Sequence, residues 1–367
     1  MTPIAETAAA KIRRGGRLDL DEALALYEHN DLLLLASLAR TVKERKSGRD
    51  IYFNVNRHIN LTNICAARCP LCAFGRGPGS ADAYVMEREE VVAVARRAAE
   101  EAPDLSEIHM VSALHPDKPF SYYLGIVAAV RAALPQVHIK AFTPVEICHF
   151  AAIGGLPVGD VLQALKAAGL DSLPGGGAEI LDDGIRSVIC PRKASSAQWT
   201  EVVMTAHRLG IPTNASLLYG HIETPRQRLE HLIKLRSIQD ETGGFQAFVA
   251  FPFHPENTGL PQLTRVGAWE DLRMVAMARL MLDNFDHIKA FWMMLTLPVA
   301  QLALAFGADD LDGTVAEEKI IHAAGATTGT SIAREDIIAV IREAGYIAVE
   351  RDTFYNRRRA WGDDDNG

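Results

Sequence analysis

Eight times along this 367-residue chain a short apolar run is followed by a polar loop and then by a stretch with helical spacing. That repetition limits the possible folds more than any other feature. The apolar runs fall at 51–64, 107–114, 137–142, 169–174, 212–219, 245–253, 287–294 and 309–313. Helical stretches follow near 87–101, 120–134, 158–168, 196–209, 225–241, 268–284, 298–306 and 334–344. Strands alternating with helices at this spacing form a parallel sheet, since parallel neighbours are joined only by a crossover. Eight such units predict an α/β fold closed as a TIM-type (β/α)8 barrel. The expected barrel covers residues 51–356. An N-terminal helical extension over 1–50 precedes it, with Asp19 or Asp21 as an N-cap and Gly48 as a stop. Residues 357–367 read as a charged tail, expected to be disordered.

Active sites of such barrels sit at the C-terminal ends of the strands. The loop after the first run is therefore the place to look for chemistry, and it reads Cys65-Ala-Ala-Arg-Cys69-Pro-Leu-Cys72. Three thiols within eight residues are too close together for independent core positions, and the whole chain has only five cysteines. Thiolates grouped on a loop can wrap a cubic iron–sulfur cluster, one cysteine to each of three irons. The fourth iron is then open to a substrate or cofactor. A structural zinc site wants four ligands as two close pairs, and no second pair follows here. Cys148 and Cys190 stand alone and read as small core residues.

Charge and hydropathy remove other classes. Thirty-eight basic against 46 acidic residues give a net charge of −8, so no general nucleic-acid partner is expected. No window reaches the apolar length of a membrane span, which predicts no membrane insertion. The first residues lack the charged and apolar regions of a secretory signal, and the cysteines do not form a disulfide framework. A reducing cytoplasm is the expected compartment.

The other strand ends are polar. Ser112-Ala113-Leu114-His115 closes the second run, Lys140 to Glu146 with Thr143 the third, and Gly175-Gly176-Gly177-Ala178-Glu179 the fourth. The fifth carries Asn214 into Tyr219-Gly220-His221-Ile222-Glu223, and the sixth runs into His254-Pro255-Glu256-Asn257. A glycine run removes side chains where the backbone approaches a ligand, although a plain loop does the same; no Gly-Lys-Ser/Thr follows, so it is not a phosphate loop. Glu179 and Glu223 suit ribose hydroxyls or an amino group, against the plainer role of a carboxylate at a helix N-terminus. His115, His221 and His254 at one mouth suit substrate binding or proton transfer, where a lone His more often satisfies local hydrogen bonds. Lys140, Arg192 and Lys193 suit an anionic substrate; for the last two, a solvated loop is the plainer reading.

With its neighbours, the Cys-x3-Cys-x2-Cys loop resembles that of the radical S-adenosylmethionine enzymes. His58-Ile-Asn-Leu-Thr-Asn63, Leu173 to Glu179, Leu218 to Thr224, Phe253 to Thr258 and Phe306 to Thr314 are similar to the motifs of the aminodeoxyfutalosine synthase branch, and the likeness spans roughly 50–356. Leu71 stands where the family usually has an aromatic residue, and Ser112-Ala113 where it usually has Gly-Gly.

The resemblance implies a radical SAM barrel with a [4Fe–4S] cluster on Cys65, Cys69 and Cys72, and S-adenosylmethionine consumed as a co-substrate at the open iron. It implies cofactor contacts from Phe74, Ser112, Ala113, Gly176, Glu179, Asn214 and Tyr219. Substrate contacts would come from His115, Lys140, Thr143 and Asn257, and catalysis from His221, His254 and Glu223. The implied reaction adds the 5′-deoxyadenosyl radical to the enol-ether double bond of 3-[(1-carboxyvinyl)oxy]benzoate. Aryl migration and decarboxylation then give 6-amino-6-deoxyfutalosine for menaquinone biosynthesis. A flavodoxin or ferredoxin would supply the electron. Sister enzymes of the same fold, of the dehypoxanthine futalosine cyclase or deazaflavin-forming synthase type, share the pattern. Outside the enzymes, the alternative is a metal-binding scaffold with zinc on the three cysteines and a histidine.

Overall fold

The computed structural model describes residues 2–315 and 319–362. Three helices come first: α1 (Pro3–Arg13), α2 (Leu20–Tyr27) and α3 (Leu32–Ser47). Asp19 caps α2 in a capping box with Glu22, and Gly48 ends α3. The chain continues through β1 (Asp50–Asn54), β2 (Asn56–Asn60), α4 (Arg88–Glu101), β3 (Glu107–Val111), α5 (Phe120–Ala133) and β4 (His138–Ala141). Four helices follow, α6 (Pro144–Gly154), α7 (Val158–Ala167), α8 (Asp183–Ile189) and α9 (Ser196–Arg208). Next are β5 (Thr213–Tyr219), α10 (Pro225–Thr242), β6 (Phe245–Pro252), α11 (Ala268–Met281), β7 (His287–Lys289), α12 (Trp292–Leu295), α13 (Leu297–Ala305) and β8 (Asp310–Gly313). The last elements are α14 (Ile320–Ala323), α15 (Arg334–Glu343), β9 (Ile347–Arg351) and β10 (Arg357–Trp361).

The strands close a parallel ring. β2 pairs with β3, and β3 with β4. Single parallel bridges, Lys140 to Ser172 and Leu173 to Thr213, carry the ring to β5. From there β5, β6, β7 and β8 pair in order, and β8 pairs with β1. Helices cover the outside, so a strand such as β5 is buried along its whole length. The expected barrel is present, with four departures from the sequence reading. The run 51–64 is two strands, because one flank of it passes from β9 to β3 at Val55. The Val55 carbonyl marks the switch by accepting from both the amide and the hydroxyl of Ser106, at 2.9 and 2.8 Å. The run 169–174 makes only the two bridges, and 287–294 leaves the sheet after Lys289 and turns into α12.

The fourth departure is the tail. Residues 357–361 form β10, antiparallel to β9, and Arg357, Arg358 and Arg359 meet Asp50, the Asp104 carbonyl and the Asp104 carboxylate at 3.0, 2.7 and 3.1 Å. Charge in this stretch therefore fastens an edge strand. Residues 363–367 lie outside the described residues. The segment between β9 and β10 covers the N-terminal end of the barrel: Arg351 grips Asp310 at 2.7 Å, Thr353 donates to Glu107 at 2.8 Å, and Tyr355 stacks on His287 with centroids 3.6 Å apart. Among the described residues no single helix is long and apolar enough to cross a membrane.

Gly175 is needed for close approach. A Cβ there would lie 2.5 Å from the carbonyl carbon and oxygen of Asn214 and 2.7 Å from the Ala215 nitrogen, all backbone atoms that no rotamer change can move. Gly175→Ala is expected to cost at least about 1–3 kcal/mol, read as a lowered midpoint in urea. Gly176→Ala, whose Cβ would meet only the Thr143 Cγ2 at 3.0 Å, should cost clearly less.

Candidate active site

The cysteine loop is held over the barrel mouth by its own backbone. The Cys65 amide donates to the Arg76 carbonyl at 2.9 Å, the Arg76 amide to Asn63 at 2.7 Å, and the Ala66 amide to Leu114 at 2.8 Å, beyond the end of β3. The Arg76 guanidinium gathers the carbonyls of Ala73 and Phe74 at 2.6 and 3.2 Å. Gly75 fits between two thiols: a Cβ there would sit 3.3 Å from the Cys65 Cβ and 3.9 Å from the Cys72 Sγ. Its amide donates to the Cys72 sulfur at 3.4 Å, a contact that favours thiolate. Cys65 and Cys72 face the cavity below, and Cys69 is buried behind them. This loop fits a cubic cluster, with a backbone donor for the Cys72 sulfur and an open side toward the cavity. Among the described residues no three His, Cys, Asp or Glu side chains close on one ion, so the tetrahedral zinc set is not gathered.

Beneath the loop lies a cavity of about 350 Å3. One upper wall carries Ser112, whose amide donates to the Glu146 carboxylate at 2.7 Å; the Thr143 amide and hydroxyl donate to the same carboxylate at 2.7 and 2.8 Å. Burial raises the Glu146 pKa to about 7, against the pull of those donors. The adjoining wall is the glycine run, packed against Thr143, with Glu179, Asn214 and Lys193. Glu179 and Lys193 form a partly buried ion pair at 2.5 Å; loss of hydration opposes both charges, and their mutual attraction wins, holding Glu179 down and Lys193 up. Apolar side chains, among them Leu71, Phe74, Val249, Phe251 and Phe291, line the remainder. The floor is ionic. Lys140 pairs with Glu107 at 2.9 Å and Lys289 with Asp312 at 2.9 Å, each cation at most 5% exposed.

Of the residues singled out in the sequence, Cys65, Cys72, Phe74, Ser112, Ala113, Lys140, Thr143, Gly176, Glu179, Asn214 and His254 line this one cavity. Others are turned away. The Tyr219 hydroxyl is fully buried and donates to Asp271 at 2.6 Å, on the helical side of β5, so it is not available to a cofactor. Glu223 accepts from the Gly220 and His221 amides at 2.6 and 2.9 Å and from Arg228 at 2.6 Å. Burial alone would raise its pKa, but His221 and Arg228 outweigh that and hold it at about 2. His221 itself is enclosed between the Leu218 carbonyl and Glu223, 3.1 and 2.7 Å from its ring nitrogens. The pair shapes the turn into α10 and does not reach the cavity. His115 accepts at Nδ1 from the Asp117 and Lys118 amides at 3.1 and 3.2 Å, closing its own turn. Asn257 is exposed and donates to the Ala323 carbonyl at 3.1 Å. Lys193 is half-buried in the wall and paired with Glu179, where the sequence favours a solvated loop.

The sequence reading passed over Glu107, His109 and Lys289, took His58 only as part of a strand, and took Glu146 and Asp312 only as polar strand ends; all six line the cavity. The signal was present. A charged residue inside an apolar strand of a fully covered barrel has only the interior to face, and Glu107 and His109 are spaced two apart, on one side of β3.

The pattern of the radical SAM superfamily matches residues 59–235, and that of the CofH/MqnC C-terminal region matches residues 242–363. The chain is 45% identical to aminodeoxyfutalosine synthase of Thermus thermophilus, over 98% of this chain and 96% of that one. It is 41% identical to a 5-amino-6-(D-ribitylamino)uracil–L-tyrosine 4-hydroxyphenyl transferase of Methanothermobacter thermautotrophicus, over 91% and 93%. Among solved structures, the hydrogenase maturase HydG shares the fold with a TM-score of 0.74 at 15% identity, covering 97% of this chain and 78% of that one. Methylornithine synthase does so with 0.69 at 16%, covering 92% and 95%. The chain belongs to the radical S-adenosylmethionine superfamily, within the group that joins this barrel to the CofH/MqnC C-terminal region.

Proposed function

We propose that this enzyme is an aminodeoxyfutalosine synthase. It would transfer the 5′-deoxyadenosyl group of S-adenosylmethionine to the enol-ether double bond of 3-[(1-carboxyvinyl)oxy]benzoate, with aryl migration and loss of carbon dioxide. The observation that carries this reading is likeness along the whole chain to two proteins of that name, the second being 44% identical over 96% of this chain, from Streptomyces coelicolor. When bound, the superfamily's [4Fe–4S] cluster supplies the electron that cleaves S-adenosylmethionine. The protein's own part is placement. Cys65, Cys69 and Cys72 would hold the cluster, and Ser112, the glycine run, Glu179 and Asn214, which line the cavity, would receive the co-substrate. The apolar wall beneath suits an aromatic ring and keeps water from a reactive centre, and the lysines of the floor suit an anion. A flavodoxin or ferredoxin is the proposed donor.

The test is incubation of the reconstituted, reduced protein with S-adenosylmethionine and 3-[(1-carboxyvinyl)oxy]benzoate, followed by mass spectrometry. An adenosylated, decarboxylated product is expected. Free 5′-deoxyadenosine with unchanged benzoate would count against it. The second reading is a 4-hydroxyphenyl transferase acting on L-tyrosine, favoured by the 41% identity to that relative. Product formed only from L-tyrosine and 5-amino-6-(D-ribitylamino)uracil would select it.

A further inference from the structure

The register of β2, β3 and β4 sets His58 beside His109, and His109 beside Lys140. These three side chains form a row across the inner wall, and all of them line the cavity floor. Glu107 fixes the row from below: it takes Lys140 at 2.9 Å and the Thr353 hydroxyl at 2.8 Å, and lies 3.6 Å from the His109 Nδ1. His109 in turn lies against His58, with ring centroids 4.4 Å apart and planes 28° from parallel. His58 is only 6% exposed, and its Nε2 is buried with no hydrogen-bond partner. A buried polar atom without a partner is costly, and native interiors seldom leave one. Here the stack keeps the ring from turning toward another partner. Lys289 lines the same floor, bonded to Asp312. Each ammonium has three N–H donors and spends one on its carboxylate.

We propose that His58, with Lys140 and Lys289 beside it, anchors an acidic oxygen carried on the aromatic ring of the substrate, so that the other end of the molecule stands up toward the cysteine loop. On the proposed function, that oxygen belongs to the benzoate carboxylate; on the tyrosine reading it is the phenol. Burial, then the charge of His109, lowers the His58 pKa to about 3. The ring is thus neutral, and its Nε2 has one N–H, or one lone pair, that no protein group takes up. Glu107 and Asp312 do not repel the incoming anion, because each is already neutralised by its lysine.

The test uses the reconstituted, cluster-bearing protein under anaerobic titration calorimetry, with 3-[(1-carboxyvinyl)oxy]benzoate and L-tyrosine as separate probes. His58→Ala is expected to weaken binding of the aryl probe by about 10- to 100-fold. His58→Gln, which keeps a donor, should restore part of it, and affinity for S-adenosylmethionine alone should stay within about twofold for both variants. His58-dependent binding of the benzoate supports the anchor and the proposed function together. The same dependence seen with L-tyrosine in its place supports the anchor and overturns that function. Wild-type affinity in His58→Ala, an equal loss of S-adenosylmethionine binding, or no binding of either aryl probe by the wild type overturns the anchor.

Discussion

Cys65→Ser, Cys69→Ser and Cys72→Ser should each lower turnover by about 10³-fold or more, because each would remove one of the three iron ligands proposed above. The check is anaerobic reconstitution followed by visible absorption and iron content, with S-adenosylmethionine cleavage measured on the same sample. Cys148→Ser is the control. Its Sγ lies 3.9 Å from the Gln198 carbonyl, outside the cavity, and its absorption and turnover should match the parent within about twofold. A serine variant at 65, 69 or 72 that keeps both the absorption and the cleavage would remove that residue from the ligand set.

Lys140→Ala is the largest expected loss of stability. The ammonium is 3% exposed, and its removal leaves the Glu107 carboxylate, 2% exposed, with only Thr353 and His109 for company. Breaking one side of a buried pair costs about 3–5 kcal/mol, since the remaining charge is neither paired nor hydrated. Denaturation in urea should show that loss. Lys140→Met combined with Glu107→Gln should recover much of it, because the orphaned charge is then gone. If the single variant were as stable as the parent, the pair would not be closed to water.

How far could the sequence be read? The alternation of apolar runs with helical spacing was enough for the barrel, because strands covered on both faces are buried and mainly apolar, and β5 is buried along its whole length. The division of the first run at Val55 was not legible. Ile51, Phe53 and Val55 before the polar Asn56-Arg57-His58, and Ile59 and Leu61 after it, keep to odd positions, and the distant partners, β9 on one side of the switch and β3 on the other, set the point of division. β10 was missed for a related reason: Arg357 to Arg359 resemble a solvated tail until Asp50 and Asp104, far off in the chain, are brought opposite them. At the site, loop position served well for the cysteines and the glycine run. It served poorly for Tyr219, His221 and Glu223, which follow a strand but turn toward the helices. Position after a strand says that a side chain is near the mouth; it does not say to which side the chain turns. The interior charges of β3 and β7 would have been the better guide, since they have nowhere else to go.

The pairing of β1 also sets a timetable. Tyr52 leaves the ribosome early, yet its neighbours in the sheet are Asp310 on one flank and Val349 on the other. At about 5–20 residues per second, the nearer of them is made roughly 13–50 s later. Through that interval β2 can already dock on β3, while the half of the strand before Val55 remains an open edge, able to pair with whatever passes. Closure of loops this long is slow as well as late. The half-made chain is thus the state in which this protein is most exposed to aggregation, and a chaperone that shields residues 50–54 until β8 and β9 emerge would act where the need is greatest.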